Sequence, residues 1–484
     1  MNKKIVITKI IFIAGWLFIG LLIYIFNPYI NILFTNNHPQ KVKFYSIVGL
    51  IMFFLSIYSW KKVNGTIITP FILWITSYYF FCFGQFFLYI FNIDFDFLIF
   101  HRYSYERIFD AQLFTLYTIV AFMIGALMSV NSIEKKSLKP RENTEFTQSA
   151  RTIGWLLFSI SIIPTVINYY EILTISFQYG YSGLFNVREV KTSFGNIGGF
   201  LALFTIPAMF LLLYSYRNHF NMYRIFFWLI VVYAIIGLIS GDRDKPLPIL
   251  VGVIILNLIL KNQKIKIKKL IPYLIGSLIV LTMFPAFLIY RRGTENRGLS
   301  TFWNNYIDSF TDNNPLFFVF AEMGASVIPL IETMAVIPEF FPLHYGSTYL
   351  WGLTAIIPNL FWDVHPAAVH SNIAAWVKEL MGISYGAGSS LPTEGYYNFG
   401  KFGFLCLIPI GYIVAKFSNF NNKDILMKNP YKLIFVCLFL IFSLTLARRG
   451  LYDMIRGVSY YTAIPLLLVY LLILVKRRYG KKWG

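Results

Sequence analysis

Three basic clusters close apolar stretches of this sequence. They are Arg243 with Lys245 in Gly241-Asp-Arg-Asp-Lys-Pro246, Arg291-Arg292-Gly293 with Arg297 close behind, and Arg448-Arg449-Gly450 with Arg456 on the next turns. A guanidinium offers a planar fork of donors that stays charged and matches a phosphate edge-on. One such arginine at a membrane surface is ordinary: its stem lies along lipid and its head reaches phospholipid phosphates, with Asp242, Asp244 or Asp453 as ion-pair partners. Three clusters on one face point instead to an anion site, and at a membrane surface the natural anion is the phosphate head of a lipid carrier.

A second constellation reads Asp363-Val-His365-Pro-Ala-Ala-Val-His370-Ser-Asn372, followed by Ser389-Ser390-Leu-Pro-Thr-Glu394-Gly-Tyr-Tyr-Asn398-Phe-Gly400. The chain has only six histidines, and two of them fall here. Pro366 and the five-residue spacing keep His365 and His370 off a common helix face, which disfavours a zinc pair, and no metal or other cofactor is expected. His370, His365 or Glu394 could serve as general base toward a sugar hydroxyl. The plainer reading makes the histidines polar loop residues and makes Thr393 or Glu394 a cap at a helix start.

The elements that position these residues follow from hydropathy. Hydrophobic residues make up 57% and charged residues 13% of the 484 positions, which places the chain in the polytopic membrane class. About twelve helical spans are expected, near 8–26, 44–60, 69–92, 111–130, 153–174, 197–215, 225–240, 246–260, 270–290, 399–415, 432–447 and 459–475, each of roughly 20 residues. With the amino terminus and the Lys61-Lys62 turn placed in the cytoplasm, nearly all of the net charge of +20 falls on the cytoplasmic side. That sorting predicts cytoplasmic termini. It also accounts for the basic balance by topology and anionic lipid, so no nucleic-acid partner is expected. Cys82, Cys406 and Cys437 all fall in expected spans and read as packing residues.

The organisation expected is therefore spans one to nine over 1–290, a large extracytoplasmic loop over 291–398, and the last three spans with a cytoplasmic tail over 399–484. Within the loop, 315–338 is apolar enough to insert but carries Glu322 and Glu332, each costing about 2.5–3.5 kcal/mol against lipid. It reads as a helix on the outer surface or lining a cavity, and 349–361 as a second such helix.

The stretch Leu391-Pro-Thr-Glu-Gly-Tyr-Tyr-Asn-Phe-Gly-Lys-Phe-Gly403, opening a late span after a long external loop, resembles the corresponding stretch of Wzy-type O-antigen polymerases. The Gly-Asp-Arg-Asp tip and the Arg-Arg-Gly following a span are similar to that family's external arginines. The resemblance implies an all-α membrane glycosyltransferase of GT-C type. It would polymerise oligosaccharide repeat units on undecaprenyl pyrophosphate into O-antigen or capsule, at the outer face of the bacterial cytoplasmic membrane. A chain-length-regulating co-polymerase would be its partner. Under this reading Arg243, Lys245, Arg291, Arg292, Arg448, Arg449 and Arg456 bind pyrophosphate, Glu394, His370 or His365 supplies the base, and Tyr396, Tyr397 and Asn398 position substrate. O-antigen ligases share a related loop with a His-Asn pair, which here is interrupted by Ser371. A lipid-linked oligosaccharide flippase is the rival from another class. It should carry ionisable residues at mid-span, whereas apart from Lys9 the expected spans are almost free of them.

Overall fold

A chain this apolar must satisfy its backbone hydrogen bonds internally wherever it meets lipid, and the helix does so within one segment. The computed structural model describes residues 3–35, 37–67, 69–130, 144–186, 193–239, 245–261, 299–312, 314–359, 362–383, 388–418 and 429–480, with a few positions between 272 and 286. Among them are helices and turns and no strand. The helices are α1 Lys3–Leu33, α2 His38–Asn64, α3 Pro70–Ile90, α4 Tyr105–Ser129, α5 Thr144–Asn186, α6 Ser193–Ala202, α7 Thr205–Ser215, α8 Phe220–Ile239 and α9 Pro246–Leu260. Then come α10 Leu299–Asp312, α11 Pro315–Gly324, α12 Ile328–Val336, α13 Ser347–Leu353, α14 Pro366–His370 and α15 Ile373–Leu380. The chain ends with α16 Leu391–Phe399, α17 Leu407–Ser418, α18 Pro430–Ser443, α19 Leu451–Val458 and α20 Ile464–Gly480.

Eleven helical stretches are long and apolar enough to cross a membrane, and α9 is a shorter apolar helix. All but one of the eleven coincide with spans expected from hydropathy; the exception is Pro315–Val336. The span expected at 270–290 falls largely outside the described residues. Several starts are written locally. Asn37, Ser104, Asn314, Ser390 and Asn429 each accept a backbone N–H of the first turn, and proline follows in four of the five.

Two apolar cores hold the bundle. One is built from α1–α4 with α11, α12 and α15–α17, the other from α5–α9 with α18 and α20. Helix α18 joins them, giving Phe439 to the first and Ile434, Cys437 and Ile441 to the second. Where helices cross most closely, glycine lets backbone meet backbone. Gly125 of α4 abuts Ile408 of α17, Gly411 abuts Phe122, and Gly84 of α3 faces Gly324 of α11. Lys9, near one end of the first expected span, donates to the carbonyls of Met128 (2.6 Å) and Val130 (3.1 Å) at the end of α4. A cation suits the negative end of a helix dipole, so this charge is paired, not stranded.

The tenth span opens earlier than hydropathy places it, at Leu391 instead of 399. The helix starts at its Ser390 cap, whereas hydropathy rises only after the polar residues Thr393, Glu394 and Asn398 have passed. The 291–398 stretch, expected as a loop, is largely helical where described. Helices α11 and α12 form a kinked pair whose two parts meet the same neighbour. Phe318 packs edge-on against Phe95 and Phe97, and Tyr103 donates to Glu332 at 2.7 Å. Both helices thus contact segment 91–104. On α10, Trp303, Ile307 and Phe310 lie exposed at helical spacing and form one apolar face.

Candidate active site

The stretch 391–403 is shaped by its glycines. Gly400 takes φ +56°, in the left-handed region that side chains disfavour. It turns the chain from α16 into the 3-10 segment Gly400–Cys406, which folds back so that Gly395 and Gly403 touch through their backbones. A Cβ on Gly395 would lie 2.6 Å from the Gly403 carbonyl oxygen. This closeness holds Glu394 and Asn398 inside the fold, both completely buried.

Buried polar groups need partners, and these two have them. Thr348 Oγ1 donates to Glu394 Oε1 at 3.2 Å, and the backbone N–H of Leu451 donates to Glu394 Oε2 at 2.7 Å. Asn398 Nδ2 donates to Thr348 Oγ1 (2.7 Å) and to the Glu394 carbonyl (2.8 Å), while its Oδ1 accepts from Gly346 N at 3.0 Å. Ser371 Oγ, also fully buried, donates to the Thr348 carbonyl at 2.7 Å. One network therefore ties α16 to the 344–348 turn, to the end of α14 and to the first turn of α19. Glu394 is its junction, and one of its oxygens caps α19.

That cap fixes an arginine pair. Arg448 and Arg449 lie directly before Gly450 and Leu451. The Ser389 N–H donates to the Arg448 carbonyl at 3.2 Å, and Gly388 and Gly450 lie against the Arg448 side chain and the Glu394 carboxyl respectively. Both guanidinium-bearing residues are half-buried, and Arg456 is exposed. Arg449 and Arg456 each lie within electrostatic reach of the Tyr452 hydroxyl. Arg448 also lines a cavity of about 250 Å³ together with Ser77 and Phe80 of α3, Pro248 of α9 and Glu322 of α11. The cavity sits where the two cores meet, and its wall includes Leu247, two residues after Lys245, and Leu281. Arg243, Arg291, Arg292 and Arg297 lie outside the described residues.

Polar groups gathered around an arginine pair at one end of a helical bundle are suited to binding a phosphorylated lipid head. The sequence as a whole matches the family model O-antigen polysaccharide polymerase Wzy over residues 5–480, nearly its full length. The chain belongs to this family. Neither a curated protein nor a solved structure matches it. Wzy proteins are polysaccharide polymerases of glycosyltransferase type that act on lipid-linked oligosaccharide repeat units, and this one is accordingly a multi-pass membrane protein.

Among the residues expected to act in this Wzy chain, the two histidines part ways. His365 is the N-cap of α14: Nδ1 accepts from Ala367 N at 3.1 Å, which leaves Nε2 to donate to the Ile357 carbonyl at 3.0 Å. Both ring nitrogens are occupied, and the cap explains why proline follows it. His370 is exposed, with its ring 4.8 Å from that of Trp351, and its neighbour Ser371 joins the Glu394 network. Tyr396 and Tyr397 are buried packing residues. Tyr396 meets Phe114 edge-on, and Tyr397 stacks on His344 at 4.1 Å and packs against Trp376. Partial burial holds the His344 imidazole below the usual histidine range. Lys245 stands at the start of α9. Sequence reading missed Thr348, Ser371 and Gly388, whose roles arise only from contacts between distant segments. Among the described residues, no three His, Cys, Asp or Glu side chains gather as a bound metal would require.

Proposed function

We propose that this chain is a GT-C-type glycosyltransferase acting at the outer face of the bacterial cytoplasmic membrane, with both termini cytoplasmic. It transfers a growing glycan from undecaprenyl pyrophosphate onto the terminal hydroxyl of a new undecaprenyl-pyrophosphate-linked repeat unit. The anomeric C–O bond to the pyrophosphate breaks, a glycosidic bond forms, and undecaprenyl pyrophosphate leaves. The observation that carries this reading is the docking of the Arg448-Arg449-Gly450 turn onto α16 through Leu451 N and Glu394 at 2.7 Å. Arginine forks carried on a turn fixed before the reaction can stabilise charge developing on the leaving group with little reorganisation. Arg448 and Arg449 take that role, with Arg243, Lys245, Arg291, Arg292 and Arg456 joining from the other clusters.

Glu394 is assigned as a positioning residue. It has no exposed surface, and both its oxygens already accept hydrogen bonds, so it is poorly placed to reach an acceptor hydroxyl. His370 takes the base role, since its ring is exposed and free to meet an acceptor hydroxyl. A chain-length-regulating co-polymerase is the protein partner that family analogy suggests.

The test is reconstitution of the purified chain with a lipid-linked repeat unit. A ladder of products differing by one repeat, with one carrier pyrophosphate released per step, is expected. Transfer only to a lipid A core acceptor would make the chain a ligase instead. Orientation is read from Val369→Cys, an exposed position in α14. An impermeant thiol reagent should label it on intact spheroplasts, against the parent chain as background. Labelling only after lysis would overturn the outer-face assignment.

A further inference from the structure

A second cavity, of about 870 Å³, runs between α1 and α4 and is lined also by α12 and the Gly400–Cys406 turn. Its lining changes character along its length. Arg107, Asp110 and Lys401 stand at one end, all exposed. Leu113, Val120 and Ile124 of α4 continue it as an apolar wall, faced by Leu17 and Leu21 of α1. From Leu113 to Ile124 the apolar wall is about 17 Å long at 1.5 Å per residue. That is more than half of the roughly 30 Å hydrocarbon thickness of a bilayer. Helix α1 leans on α4 at Gly20, where a Cβ would come within 3.2 Å of Val120, and is otherwise scarcely buried, so the groove's flank is open to the membrane. Among the described residues, no ion pair within 4 Å involves the side chains of Arg107 or Lys401, and Asp110 lies within electrostatic reach of Lys401.

A groove with two cations and one carboxylate at one mouth, and a long apolar wall beyond them, suits a phosphate head on one long chain. Its position adds the decisive argument. Tyr396 lines it from α16, two residues after Glu394, and Lys401 follows on the same segment. The turn that carries Arg448 docks on the same helix, through Leu451 N and Glu394. Transfer between two lipid carriers requires two lipid heads near one point.

We propose that this groove is a second carrier site, holding the single-chain polyprenyl phosphate moiety of the acceptor while the Arg448 side holds the donor. The assignment to acceptor rests on the polymerase reading; the binding itself does not. The test places a photoreactive benzoylphenylalanine at Leu113 in the full chain, in nanodiscs of zwitterionic lipid, with radiolabelled undecaprenyl phosphate as probe. Cross-linking is expected. Excess undecaprenyl phosphate should compete it, and phosphatidylglycerol or inorganic phosphate should not. The Arg107→Gln/Lys401→Gln variant should lose at least about tenfold in yield, equivalent to about 1.4 kcal/mol. Its melting temperature should be unchanged, and Arg448→Lys should cross-link normally. Equal competition by phosphatidylglycerol would mark an ordinary anionic-lipid contact, and an undiminished yield in the double variant would remove the phosphate site; either overturns the proposal. No turnover is needed for this readout, so a chain that cross-links but makes no polymer refutes the polymerase reading alone.

Discussion

Replacing Glu394 separates a positioning carboxylate from a catalytic base. Alanine leaves two buried donors without partners, Thr348 Oγ1 and Leu451 N, which now sit 3.2 and 2.7 Å from the carboxylate. An orphaned buried polar group costs about 1–3 kcal/mol, so Glu394→Ala should destabilise by about 2–6 kcal/mol. It also uncaps α19 and frees the Arg448–Gly450 turn. A displacement near 1 Å at reacting groups can cost about 100-fold in rate. Glutamine is different, because its carbonyl can still accept from Leu451 N. Its amide can donate to Thr348 Oγ1, which already accepts from Asn398, so only the Thr348 hydroxyl proton loses its partner. Glu394→Gln should therefore stay within about tenfold of the parent turnover and lose about 1–2 kcal/mol, in keeping with one weakened hydrogen bond. The assay is repeat-unit polymerisation by purified protein, run beside thermal unfolding in the same detergent. A glutamine variant as inactive as alanine, with an unshifted melting temperature, would refute the positioning argument and restore Glu394 as the base.

Further outcomes follow from the same geometry. Gly395→Ala must push α16 away from Gly403, since a Cβ there would lie 2.6 Å from a carbonyl oxygen; a loss of about 1–3 kcal/mol is expected in thermal unfolding. An unchanged melting temperature would show that the turn yields freely. His344 is held below the usual histidine range by burial, so as pH falls the unfolded chain takes up its proton first. The stability it contributes is complete above the unfolded value of about 6.5 and is lost as pH falls from there through the folded value. His344→Phe keeps a ring on Tyr397 and should flatten melting temperature against pH between about 7 and 5. A parental slope in that variant would assign the acid limb to another group.

Much of the fold was legible because lipid imposes one solution on an apolar run of about 20 residues. The site was legible in part. Glu394, Asn398 and the flanking glycines stood out as polar and small residues at the head of a span, and the arginine pair stood out against the charge sorting. Their joining was not legible: the Leu451–Glu394 bond connects residues far apart in sequence, and no local pattern encodes it. The capping role of His365 was within reach, because a polar residue before Pro366 and two alanines is a helix start. The role of Lys9 was not, since its partners are carbonyls at the end of α4. The span start at 391 was misplaced for a related reason: hydropathy counts Thr393, Glu394 and Asn398 as solvent-seeking, whereas a closed hydrogen-bond network lets them be buried.

The most direct test of the central claim is turnover of purified Arg448→Lys and Arg449→Lys proteins on an undecaprenyl-pyrophosphate-linked repeat unit. Lysine keeps the charge and loses the bidentate fork. If the pair stabilises the departing pyrophosphate, each variant should fall by at least about 100-fold in kcat, as removal of one preorganised donor does elsewhere, with an unshifted melting temperature. Parental turnover in both would contradict the account and reduce the arginines to anchors for ordinary phospholipid.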